Sequence, residues 1–279
     1  MTRIALALAL TVPILLFVAG ISQAVVDLKS MLASPIDLTI YSADRKLLIG
    51  HSHFTIKQED RRVDVNGLTH YLNGERDLEH VTLRYESGDP LPVVVKLQSS
   101  FLASDGLPQL IEDANFETGE ATCRWGSNPG EDYTAQLQPQ PDTYAGAASI
   151  IPMEYALKQG QSSVTFHVFD CAPKPTIFTV DAKLENGEAH WSYYPGELAK
   201  MGLTPDLGWL NLIASPFIPN ITIWFNPRQD YQYIGTRKDR FYRGREQVLV
   251  RSSNGSTVNP ESNKSARTTF PNEANKAAN

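Results

Sequence analysis

The sequence predicts a mainly β fold, an antiparallel and strongly curved sheet (a barrel or β-spiral) with one or two short helices. Three observations carry this. Short segments in which apolar and polar residues alternate with a period of two recur along most of the chain. Turn pairs such as Asn66-Gly67, Asn73-Gly74 and Asn186-Gly187 punctuate them. No regular alternation of strands with long helical patterns, the mark of a βαβ fold, is present. About a dozen strands would expose edges that curling the sheet protects.

The elements follow in order. Residues 36–41 (IDLTIY) and 47–57 (LLIGHSHFTIK) are strands; in the second, His53, Thr55 and Lys57 fall on one side, Phe54 and Ile56 on the other. Val63 and Val65 continue the alternation up to Asn66-Gly67, which reads as a tight hairpin turn, and Asn73-Gly74 reads as a second. Further strands are expected over 79–85, 92–98, 121–125 and 133–137, with Ser87-Gly88-Asp89-Pro90 as a turn. In 148–160, Pro152 suits a first helical turn and Gly160 a stop, which predicts one short helix. Strands then follow over 163–170, 176–184 and 188–194, the last two around Asn186-Gly187. Residues 196–219 are rich in Leu, Gly and Pro and predict a short helix or loop over the open end of the sheet. The last strands are expected at 221–226, 230–235 and 246–251.

Residues 1–24 have the pattern of a secretory signal peptide, with Arg3 as a basic start, an apolar run over 4–19 and Ser22-Gln23-Ala24 before the cut. That run is shorter than the ~20 residues of a spanning helix, and no later segment predicts a membrane span after cleavage; a retained anchor is the alternative. Residues 25–251 read as a single β-rich domain, with a subdivision near 140–150 as the second choice, and 252–279 as a disordered tail with little to bury. Removing residues 1–24 removes one positive charge, Arg3, and takes the formal charge from −6 to −7. That balance argues against a nucleic-acid partner, which requires a basic footprint.

The only cysteines are Cys123 and Cys171. In an oxidising compartment they predict one bridge, the alternative being two separate thiols. No catalytic residues, cofactor or metal site are predicted. His51 and His53 share a strand face, but no third ligand is placed by short spacing, so surface histidines explain them. No Gly-x-Ser-x-Gly elbow or His-Glu-x-x-His pair supports an exported hydrolase. Arg237, Lys238, Arg240, Arg243 and Arg245, with Phe241 and Tyr242 among them, form a candidate anion or partner surface; a solvated loop is the plainer reading. Trp191, Tyr193, Trp209, Phe217 and Trp224, with Tyr194 and Phe225, are candidates to line an apolar ligand cavity; the plainer reading is that they are core.

The stretch SIIPMEYALKQGQSSVTFHVFDC, with its proline-led helix, Gly160 and a strand ending in Val168-Phe169-Asp170, resembles the exported β-spiral proteins of the bacterial cell envelope, the DUF3108 and EipB-like group. The resemblance covers 148–185 and loosely the later strands. It implies a periplasmic or envelope-peripheral protein that handles a hydrophobic ligand or supports envelope integrity without catalysis, and the EipB-like members also carry a disulfide. The expected function is thus a non-catalytic exported envelope protein that binds an apolar ligand, lipid or partner protein. A scaffolding module with a packed interior is the alternative, and an exported hydrolase ranks third.

Overall fold

The structure, a computed structural model, describes residues 35–126, 132–185, 196–206, 221–241 and 244–252. From the N-terminal side, β1 (Ile36–Ser42), β2 (Leu48–Glu59), β3 (Arg62–Tyr71), β4 (Arg76–Arg84), β5 (Val93–Leu102), β6 (Pro108–Asn115), β7 (Glu120–Trp125) and β8 (Asp132–Gln136) form an antiparallel meander. The chain continues through β9 (Thr143–Ala145), a 3-10 turn (Gly146–Ile150) and the helix α1 (Ile151–Lys158). A second meander comprises β10 (Ser163–Cys171), β11 (Pro175–Leu184), β12 (Ala199–Asp206), β13 (Ile221–Asn226), β14 (Gln232–Asp239) and β15 (Glu246–Arg251). Antiparallel pairing of β1 with β15 joins the meanders into one 15-stranded sheet whose edges are β8 and β9. The β9–β10 pair alone is parallel among the described strands.

Connectivity forces this sheet to roll. Laid flat at ~4.8 Å per strand, fifteen strands would hold β8 and β9 roughly 67 Å apart. The link 137–142 reaches at most about 25 Å. The edges therefore come together: β9 lies against β5, and β11 against β7 and β8. A disulfide between Cys123 on β7 and Cys171 on β10, Cα atoms 5.7 Å apart, fastens the overlap.

The main core lies on one face of the rolled sheet. Ile36, Leu38 and Ile40 of β1, and Val63 and Val65 of β3, point there at alternate positions. The hydroxyls of Ser52 and Thr69, both buried, satisfy one another across β2–β3 at 2.7 Å. A smaller cluster (Leu198, Trp224, Ile234, Val248 and Val250, with Tyr41) is separate from it.

Several elements depart from the sequence expectation. Asn66-Gly67 is strand rather than turn; the β2–β3 reversal falls at Asp60 and Arg61, with Asp60 at φ 49°. Gly67 faces Phe54 across the ladder, and a Cβ there would stand 2.5 Å from the ring, so this glycine makes room for an aromatic cover. Residues 199–206, expected as helix or loop, are strand β12, paired with β11 and β13. The expected strand 188–194 lies outside the described residues. Asn73-Gly74 does turn, with Gly74 at φ 91°. The helix forms with Pro152 in its first turn and Gly160 beyond its end at φ 73°. Ile151, Met153, Ala156 and Leu157 are all buried, so α1 is an internal element lying against β10.

Candidate ligand cavity

Rolling leaves a cavity of about 470 Å³. Strands from both meanders wall it: Leu38, Phe54 and Ile56 from the first, Phe178, Ile223 and Leu249 from the second. The 3-10 turn supplies Gly146, Ala147 and Ile150. Among the wall residues are six acidic or basic ones: Glu79, Glu112, Asp170, Lys238, Asp239 and Arg240.

The ladder explains how three acids meet there. Glu79 on β4 pairs with Ser99 on β5, and Ser99 pairs with Glu112 on β6, which sets all three in one cross-strand row. Asp170 arrives from β10, next to the disulfide. Glu79 accepts the Ala147 backbone N–H at 2.8 Å. Gly146, at φ 52°, allows that approach, since a Cβ would stand 2.7 Å from the Glu79 carboxyl carbon. Asp170 accepts the Cys171 N–H at 2.8 Å.

Burial raises the proton affinity of each acid. The Glu112 carboxyl is pushed up to about 8, first by burial and then by the charges of Asp170 and Glu79, with Lys238 opposing. Burial also raises Glu79 and Asp170, again opposed by Lys238. The Lys238 ammonium is the cation common to all three, drawing the proton affinity of each carboxyl back down.

Arg240 is bound into a second cluster. Its side chain is only 2% exposed and contacts Glu75 at 2.9 Å, Asp77 through Nε at 3.0 Å, Gln109 at 2.8 Å and the Leu102 carbonyl at 3.2 Å. Tyr71 donates to Asp77 at 2.8 Å, and both Arg240 and Arg245 lie over its ring. Arg245 also pairs with Glu75 at 2.8 Å.

The basic run predicted from the sequence is therefore divided. Arg237 pairs with Glu246, and Lys238 lines the cavity. Arg240 and Arg245 share Glu75, and Arg243 lies outside the described residues. Residues 237–239 belong to strand β14 rather than to a loop, and its period of two separates Arg237 from Lys238. Of the aromatic candidates, Trp191, Tyr193, Trp209 and Phe217 lie outside the described residues. Trp224 packs in the second cluster, while its neighbour Ile223 lines the cavity, so the described wall does not include it. Phe225 is in the main core, edge-on to Tyr233. The row Glu79–Ser99–Glu112 escapes sequence reading because β6 carries a weak strand pattern (PQLIEDAN) and its partner lies on another strand.

Among the described residues, no three His, Cys, Asp or Glu side chains are placed to hold a metal ion, and no helix is long and apolar enough to cross a membrane. No family model and no curated protein matches the chain. The structure is similar to a β-barrel-like protein of the domain of unknown function DUF1849 from Brucella abortus, at 10% sequence identity over 78% of this chain and 94% of that chain, with a TM-score of 0.43.

Proposed function

We propose that this chain is a non-catalytic protein of the cell envelope, exported to the periplasm, that holds an apolar ligand such as a lipid in the cavity of its rolled sheet. The supporting observation is the cavity itself, about 470 Å³ with mainly apolar walls, within the range of small-molecule sites. Among the described residues that space is not filled, which favours this reading over a scaffold with a close-packed interior. The disulfide suits an oxidising compartment.

Native mass spectrometry tests this reading. The secreted chain, incubated with an envelope lipid extract, is expected to carry one retained lipid, and to lose it when Leu38→Trp or Ile223→Trp fills the cavity. A wild-type chain that emerges bare under gentle ionisation refutes the reading.

A further inference from the structure

We propose that the ionisable row in this cavity receives the protonated amine of a long-chain amphiphile, with Glu79, Glu112 and Asp170 as its counter-charges. The inference rests on the apolar-ligand reading above and names the headgroup. Three carboxyl groups from three different strands share a single ammonium, that of Lys238. The other nearby cation, Arg240, is held by Glu75 and Asp77. An anionic headgroup would add negative charge to a low-dielectric site already in excess of acid. A metal ion is not served by the geometry of the described residues. A primary ammonium brings three hydrogen-bond donors as well as charge.

A second observation points the same way. Ser99, only 3% exposed and in register between Glu79 and Glu112, has an Oγ with no hydrogen-bond partner. A buried hydroxyl of this kind is costly unless something occupies the space beside it. The glutamates on either side of it line the cavity, so a donor-rich headgroup would meet the row there. Where a carboxyl is still protonated, entry of the ammonium forms an ion pair and releases that proton to solvent. The groups facing the row are Asp77 from β4 and Lys238, Asp239 and Arg240 from β14 and its end.

The test uses decylamine, decanol and decanoate, three probes of equal chain length, titrated calorimetrically into the secreted chain near about pH 7.5 in two buffers of different ionisation enthalpy. Decylamine is expected to bind at least about tenfold tighter than the other two and to release protons. Glu79→Gln and Glu112→Gln are expected to bring the amine-to-alcohol affinity ratio down to about one. Equal or tighter binding of decanoate, or an amine preference untouched by both substitutions, overturns the proposal. If all three probes bind alike, the headgroup assignment fails and the apolar-ligand reading survives; if none binds, both fail. Should the variants not fold, wild-type protein decides: the amine-to-alcohol affinity ratio must rise from about pH 5.5 to about pH 8.5 as the row loses protons, and a flat ratio refutes the assignment.

Discussion

Arg240 stands two residues from Lys238 in a run that looks solvated; both line the cavity, and Arg240 is in addition locked in an ion cluster. Its partners Glu75 and Asp77 are more than 160 residues away in sequence, so nothing near it in the chain announces them. Removing one member of a buried charged cluster strands the others. Arg240→Met is therefore expected to cost about 3–5 kcal/mol in urea unfolding, and Arg240→Lys to recover little, because one ammonium cannot span both acids and a carbonyl.

The buried acids have a different consequence. Glu112 and Glu154 are each raised from 4.5 to about 8, chiefly by burial. A folded-state value above the unfolded one means the native chain binds more protons, so stability falls as pH rises from about 4.5 towards 8. Asp64 works in the opposite sense. Arg62, first among its causes, holds its carboxyl down at about 2, so its contribution is present above 3.8 and fades as pH falls through 2. Thermal melts should peak on the acid side of neutrality, and Glu112→Gln should flatten the decline above about pH 5. A maximum above pH 8 contradicts this.

At the scale of elements, strands with a strong period-two pattern were legible, as in β1, β2 and β10. The helix was legible from Pro152 and Gly160. The parts that were not had physical reasons. Residues 199–206 carry Gly202 and Pro205, which discourage a strand in isolation; neighbours on both sides recruit them. Gly67 looks like a turn residue until Phe54 is laid across it. The β9 strand is three residues long, too short for any pattern to register. The pairing of Cys123 with Cys171, in contrast, followed from there being only two cysteines. That bridge closes a separation of 48 residues, and Cys123→Ser with Cys171→Ser is expected to cost roughly 2–4 kcal/mol, measured by denaturant unfolding. The loss should centre on β7 and β10, where amide exchange accelerates first.

Across the molecule, the first and last of the described strands are neighbours, and Ser252 donates its N–H to the Asp37 carbonyl at 2.8 Å. The sheet edges fall in mid-chain, across the link 137–142. A circular permutant joining 252 to 35 and opened at 138–140 keeps every strand pair but lacks the covalent tie between the edges. It is expected to fold with native far-ultraviolet circular dichroism while oxidised. On reduction it should expand on gel filtration, where the parent chain under the same reductant does not. Equal expansion of both would show that the link contributes nothing to closure.

Composition and periodicity were enough to determine a curved, mostly antiparallel sheet, a short helix and one bridge, because each rests on local preference or on counting. Which acids meet, which cations are already paired and whether the interior is hollow were decided only by the rolled sheet. Register sets Glu79, Ser99 and Glu112 in one row, and curvature sets how much space remains in front of them. Both depend on contacts between residues far apart in the chain, which no window along it contains.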